Sequence, residues 1–306
     1  VPLAAYTRFG IGGPASIFCE TRDEGAFVEA LRTAASFEAP HIVIGGGTNL
    51  IVSDAGFDGI VLRYSGSRIV RQQTTLCAES GALLQDVVDE SIAHGLKGME
   101  TMTGIPGSLG GAVYGNAGAY GRSIQELIGR VRVGDGERVF DLRNEECRFR
   151  YRESVFKERK QWVILSAELR FDEGDPARMA QTAAEIRTIR DVKYPPAMKC
   201  AGSIFKNLLF ADLPPGVQAQ VPEKVVREGK VPSAWFLEQA GAKGLRRGDI
   251  QVASYHANLI YNDGAGTAAD LVAAIHELKQ RVRARFGFDL EEEVQYIGFE
   301  FVPAAV

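Results

Sequence analysis

A chain of 306 residues is twice the roughly 150 residues of a typical domain, so two or three domains are expected and peptide, toxin and disulfide-knot classes are excluded. Hydrophobic content of 45% and charged content of 24% match soluble globular proteins, while 35 Lys and Arg against 39 Asp and Glu leave a net charge of −4, which argues against a dedicated nucleic-acid binder. No apolar run approaches the ~18 residues of a membrane span, and VPLAAYTRFG lacks the basic and apolar regions of a secretory leader, so a cytoplasmic protein without membrane insertion is expected.

In chain order, SIFCE at 16 to 20 reads as a strand and is followed by a helix, with Thr21 and Glu24 as its capping box and Phe27, Leu31 and Ala34 on one face. HIVIG at 41 to 45 and GIVLR at 59 to 63 are strands, as are IVRQQ and TTLCAE before residue 80. The next helix carries Leu84, Val87, Val88 and Ile92 as its stripe, with Ser80 as cap and Gly95 as stop. RVRVGDGERVFDL at 130 to 142 alternates about a GDG turn and predicts a hairpin. CRFRY and QWVILSAELRF read as further strands, and Asp175 with Pro176 opens a helix with Met179, Ile186 and Ile189 on one face. KYPPAMKCAGS reads as a linker. Beyond it lie helices near 232 to 240 and 268 to 286, the second capped by Thr267 and Asp270 with Leu271, Ile275, Leu278, Val282 and Phe286 inward, and EVQYIGFEF closes the chain as a strand. Cys19, Cys77, Cys147 and Cys200 are far apart without a CxxC, and the four histidines form no HExxH, so reduced thiols and no protein-bound metal are expected.

Residues 101 to 121, TMTGIPGSLGGAVYGNAGAYG, hold seven glycines and no charged side chain. Such a loop exposes backbone N–H groups that can converge on a diphosphate, with Thr101, Thr103, Ser108 and Asn116 adding side-chain donors. GGGTNL at 45 to 50 follows the strand HIVI, where a ligand at the carboxyl end of an open α/β sheet is expected. Neither is a Walker A or a GxGxxG leading into a helix, and GIGGPA at 10 to 15 is followed by β-prone SIF. Tight turns in a twisted sheet are the alternative for each cluster, but two uncharged clusters together favour a bound flavin or nucleotide.

IGGGTNLIVSD at 44 to 54, TGIPGSLGGAVYGNAGAYG at 103 to 121, YRES at 151 to 154, AGSIFKN at 201 to 207, HANLIYN at 256 to 262 and EVQYIG at 293 to 298 together resemble the UDP-N-acetylenolpyruvoylglucosamine reductase (MurB) family. The resemblance runs in order through nearly the whole chain. It implies a vanillyl-alcohol-oxidase-type (PCMH-type) FAD-binding fold of α+β or α/β content: FAD subdomain 1 over 1–66, to which residues 294–306 return, FAD subdomain 2 over 67–192, and an α+β substrate domain over 193–293. The implied reaction uses NADPH and non-covalent FAD to reduce the enolpyruvyl group of a UDP-sugar to UDP-N-acetylmuramate for peptidoglycan in the cytoplasm; the oligomeric state is left open, with a monomer favoured.

The resemblance also implies residue roles. Arg152 would grip the substrate carboxylate, Ser203 would protonate C2, and Glu293 would polarise the enolate or relay the proton. The cofactor would be held by Gly45, Gly46, Gly47, Thr48, Asn49, Leu50, Thr103, Gly104, Pro106, Gly107, Ser108, Gly111, Asn116, Ala117 and Gly118. Lys193, Lys206, Asn207 and His256 would bind substrate. Leu208, Ile204 and Thr48 depart from the usual proline, aromatic and serine without removing a reacting group. The spacing of Arg152 and Ser203 suits the shorter subclass, which lacks the loop whose tyrosine covers the substrate. Another FAD oxidoreductase of the same fold and a non-catalytic flavin or nucleotide-sugar module remain the competing readings.

Overall fold

Phe27, Leu31 and Ala34 recur at helical spacing along Glu24–Ser36 and bury against Ile60, Leu62, Tyr64, Val163 and Leu165, the arrangement an amphipathic helix on a sheet requires. The computed structural model describes residues 1–37 and 39–300. It divides into two compact units, one of Val1, 15–47 and 58–195, the other of 2–14, 48–57 and 196–306. The expected limits at 66/67 and 192/193 concern ligand-binding subdomains and stay a proposal.

In the first unit a three-stranded sheet runs Ala15–Thr21, Phe57–Tyr64, His41–Ile44, with the last two parallel and His41 opposite Ile60. A five-stranded antiparallel sheet follows in the order Val139–Arg143, Ile128–Gly134, Val163–Arg170, Thr75–Glu79, Ile69–Gln72. The predicted hairpin closes with Gly134 opposite Val139, and Asp135 Oδ1 accepts the N–H groups of Glu137 and Arg138 at 3.1 and 3.0 Å. Leu76, Val131, Val133, Ala167 and Leu169 form one core with Val87 and Val88 of helix Leu84–Ala93 and Leu109 and Val113 of helix Leu109–Tyr114.

Five local expectations are corrected. Thr21 stays in its strand, so Asp23 is the cap, accepting Ala26 N–H at 2.7 Å. Ser80 lies too early to cap the following helix, and its carbonyl instead accepts Gly110 N–H at 2.8 Å. CRFRY is not a strand: Arg148 and Arg152 take φ of 50° and 56°, left-handed backbone that breaks a ladder. Ile189 is exposed, and Ala183 joins Met179 and Ile186 on the buried face of Pro176–Lys193. The end of the supposed linker, Lys199–Ser203, is a strand because Leu259–Asn262 pairs with it.

The second unit is built on an antiparallel sheet ordered Lys199–Ser203, Leu259–Asn262, Ile250–Val252, Arg246–Arg247. Its long helix, Ala268–Phe286, buries the predicted stripe and begins with the predicted Thr267–Asp270 capping box. Helix Ser233–Gln239 packs Trp235 and Phe236 against Phe286 at centroid distances of 5.9 and 5.1 Å. Gln295–Ile297 pairs in parallel with Leu50–Val52; residues 301–306 of the proposed returning segment lie outside the described residues. Asp54, from the same stretch as Leu50–Val52, accepts the N–H groups of Ala268 and Ala269 at 2.8 and 2.9 Å. It thereby satisfies two otherwise orphaned donors at the positive end of the helix. Asp54→Ala is expected to cost about 1 to 2 kcal/mol, read as a lower denaturant midpoint at unchanged slope; an unmoved midpoint would mean that solvent replaces both bonds.

Candidate active site

Gly45 and Gly46 continue the strand His41–Ile44 into a turn that runs beside Gly107 and Ser108. A Cβ on Gly46 would lie 3.2 Å from Gly107 Cα and 3.4 Å from Ser108 N, and one on Gly45 would lie 2.9 Å from Ser108 Oγ. The two glycine clusters are therefore a single backbone-lined surface. Gly107 has φ of 115°, a conformation open to glycine and costly to other residues. Its carbonyl accepts Leu84 N–H at 3.0 Å, and Leu109 N–H donates to Ala82 O at 2.9 Å. These bonds tie the loop to the start of a core helix. Ser108 Oγ accepts Gly111 N–H at 3.3 Å, and Gly104 N–H is held by Gln85 Oε1 at 2.8 Å.

Thr101 and Thr103 end in the same loop with buried hydroxyl oxygens that have no hydrogen-bond partner among the described residues. Buried hydroxyls without partners are uncommon in folded proteins. A ligand rich in acceptor oxygens answers that deficit. The cradle therefore fits a dinucleotide such as FAD, approached by main chain rather than by charged side chains. Thr48, Asn49 and Leu50 lie past the boundary between the units.

Arg152 sits in a tight turn in which Arg150 and Glu153 exchange N–H···O bonds of 3.0 Å. Its positive φ stores roughly 1 kcal/mol or more of strain, a common mark of functional positions. The guanidinium donates to Gly118 O at 3.0 Å and Asn116 O at 3.5 Å, and lies 5.2 Å above the Tyr151 ring. Asn116 is buried and donates to Gln125 Oε1 and Arg150 O, both at 2.8 Å. Ala117 N–H donates to Ala112 O at 2.8 Å. The end of the glycine segment thus orients Arg152, while Lys157 Nζ holds the Arg152 carbonyl at 2.6 Å. Burial, then Glu153, raises the Tyr114 phenol above its ordinary pKa.

Within the second unit, Ser203 ends its strand opposite Leu259, after an irregular step from Cys200 and a Gly202 φ of 76°. The segment after it lies against the glutamate run. Glu293 N–H donates to Ile204 O at 2.7 Å, Lys206 N–H donates to Glu291 O at 2.9 Å, and Phe205 bridges Glu292. Ser203 and Glu293 are consequently anchored at adjacent points of one backbone. Asn49 Nδ2 donates to the Glu293 carbonyl at 2.9 Å. The buried Lys206 is ion-paired with Glu291. Asn207 Oδ1 accepts Ser233 N–H at 3.3 Å, and His256 Nδ1 accepts Asn258 N–H at 3.3 Å.

Lys193, by contrast, belongs to the first unit and ends its helix 5.1 Å over the Tyr194 ring. The four cysteines are free, and burial, followed by Glu146 and Glu145, pushes the Cys147 thiol up to about 12, so that thiol is inert at neutral pH. The sequence reading missed Asn258 and Ser233, both buried beside the Ser203 segment. Only the polar residue inside HANLIYN signalled the first.

Main chain too close-set for side chains, backed by two unsatisfied threonine hydroxyls, makes this a flavoprotein of the two-subdomain FAD-binding fold: residues 15–138 match the FAD binding domain. A later stretch of the chain is more specific. Residues 194–297 match the UDP-N-acetylenolpyruvoylglucosamine reductase, C-terminal domain. The UDP-N-acetylenolpyruvoylglucosamine reductase of Solibacter usitatus (strain Ellin6076) is 58% identical over 97% of this chain and 95% of its own length. That of Rubrobacter xylanophilus is 37% identical over 97% and 94%. The crystal structure of UDP-N-acetylenolpyruvylglucosamine reductase (MurB) from Thermus caldophilus shares 31% identity and a TM-score of 0.74 over 97% of both chains. The chain belongs to the UDP-N-acetylenolpyruvoylglucosamine reductase family.

Proposed function

We propose that the protein reduces the enolpyruvyl group of UDP-N-acetylenolpyruvoylglucosamine to give UDP-N-acetylmuramate, with FAD as cofactor and NADPH as reductant. The observation that carries this reading is the backbone pairing of Ile204–Lys206 with Glu291–Glu293, which sets Ser203 and Glu293 at neighbouring backbone positions in a chain whose family acts on that sugar nucleotide. When bound, FAD accepts hydride from NADPH and supplies it to the enolpyruvyl C3. Gly45, Gly46, Gly47, Thr48, Asn49 and Leu50, with Thr103, Gly104, Pro106, Gly107, Ser108, Gly111, Asn116, Ala117 and Gly118, are the residues proposed to form or support its cradle.

The remaining chemistry belongs to this chain's side chains. Hydride addition at C3 leaves negative charge on C2 and the neighbouring carboxylate. Arg152 binds that carboxylate through a planar fork and stabilises the developing charge. Ser203 donates the proton that C2 must gain; so strong a carbon base can take it from a weakly acidic hydroxyl. Glu293 polarises this site or relays the proton. Lys206, Asn207 and His256 bind the UDP-sugar, with Lys193 as a further contact. The short subclass and a cytoplasmic location complete the proposal.

Turnover of the enolpyruvyl-UDP-sugar with NADPH tests the function, and protein that stays colourless after incubation with FAD would overturn it. Arg152→Lys is expected to lower kcat/KM for the sugar roughly 10²-fold, since an ammonium lacks the two-pronged geometry. Flavin reduction by NADPH should stay within about twofold. Steady-state and single-turnover rates check the two statements, and a lysine variant with native kcat/KM would remove Arg152 from its assigned role.

A further inference from the structure

We propose that Asn258 is a positioning residue for proton delivery, fixing the register between Ser203 and Glu293; the inference rests on the roles just assigned to those two residues. Asn258 O accepts Ile204 N–H at 3.1 Å. Its side chain then brackets the next residue: Oδ1 accepts Phe205 N–H at 2.9 Å and Nδ2 donates to Phe205 O at 2.9 Å. The same Nδ2 donates to Ser233 Oγ at 2.7 Å, and Ser233 Oγ donates to Phe205 O at 3.2 Å. Asn258 is 2% exposed and Ser233 0%, so water does not stand in for these groups.

The need for such a brace arises from the strand itself. Regular pairing of Lys199–Ser203 with Leu259–Asn262 is interrupted between Cys200 and Ser203, and Gly202 adds left-handed backbone at the same point. A ladder with that irregularity does not by itself define where Ser203 lies. The Asn258 amide supplies the missing strand neighbour for Phe205. On the opposite edge of the same segment, Ile204 O holds Glu293 N–H at 2.7 Å, and Asn49 Nδ2 holds the Glu293 carbonyl at 2.9 Å. Hydroxyl and carboxylate are therefore referenced to one short backbone, and that backbone is referenced to Asn258. Displacements well below 1 Å matter to a proton transfer, and a 1 Å error costs on the order of 10²-fold.

Asn258→Asp tests this with little change of volume. It keeps an acceptor for Phe205 N–H, loses the donor to Phe205 O and turns a carboxylate toward that carbonyl. In the FAD-loaded enzyme, flavin reduction by NADPH should stay within about twofold of native. Reoxidation by the enolpyruvyl-UDP-sugar should slow about tenfold or more, with kcat falling more than KM changes. In the apoprotein, amide exchange at Phe205 and Glu293 should accelerate while that of helix Ala268–Phe286 stays native. Should the aspartate variant fail to fold, Ser233→Ala removes the two Oγ bonds, to Asn258 Nδ2 and Phe205 O, and should slow reoxidation alone by a few-fold. Equal slowing of both half-reactions, unaltered reoxidation, or native exchange at Phe205 and Glu293 would overturn the proposal. Wild-type enzyme whose reduced flavin ignores the enolpyruvyl sugar would instead refute the assigned function, and the exchange data would still report on the brace.

Discussion

Ser203→Ala is expected to yield a yellow protein that accepts electrons from NADPH at the native rate and then stalls. Reoxidation by the enolpyruvyl-UDP-sugar should slow by about 10²-fold or more, the scale of a lost general acid. The asymmetry follows from the role proposed for the hydroxyl. NADPH oxidation requires no proton at C2 of a sugar, whereas completing the reduction does. The half-buried Ser203 side chain lies on an irregular strand end beside a glycine, so removing one oxygen leaves no large cavity and the variant should fold. Rapid-mixing measurements of each half-reaction separate the outcomes. Slowing both halves equally would place the damage in the cofactor site, and slowing neither would leave the proton to another donor. Arg152→Lys differs in kind, because it keeps the charge but loses the planar fork proposed to hold the carboxylate, and should therefore move KM as well.

The parts of this fold that were legible in the sequence are those whose periodicity and local chemistry agree. Ala268–Phe286 has its stripe, its capping box and a Gly287 stop in left-handed conformation, and the hairpin at 130 to 142 has alternation and a turn that favours it. Where a distant partner decides, local reading failed. Lys199–Ser203 looks like a linker until Leu259–Asn262 pairs with it. CRFRY alternates like a strand, yet Arg150 bonds to Glu153 and closes a turn. The same division holds at the site. Uncharged glycine clusters announce a backbone cradle because the missing side chains are themselves the signal. Asn258 announces little locally beyond a polar residue inside an apolar strand motif, since its value lies in four hydrogen bonds to residues far away in the chain. Asn49 falls between: its motif suggested a cofactor contact, a role still proposed for it, and the structure shows its amide on the Glu293 carbonyl.

Gly46→Val should abolish tight cofactor binding while leaving a folded apoprotein. Gly46, unlike Gly47 with its φ of 63°, is not among the positive-φ glycines, so the substitution tests space rather than backbone strain. A single Cβ would already meet Gly107 Cα at 3.2 Å, which is tight, and the neighbour cannot yield freely. Gly107 O is bonded to Leu84 N–H and Ser108 caps the helix Leu109–Tyr114, so moving the loop strains the entrance of two core helices. Two further methyl groups must then project into the cradle or force it open. FAD affinity should fall by about 10²-fold or more, near 2.7 kcal/mol. Gly46→Ala, which asks for only a few tenths of an ångström, should lose about tenfold or less. Titration of apoprotein with FAD, followed by flavin fluorescence, measures both. The order native, alanine, valine is the diagnostic result, because it tracks the room left between the two glycine turns. A valine variant that retains native affinity would mean that the dinucleotide is held elsewhere, and the cradle would lose its assigned occupant.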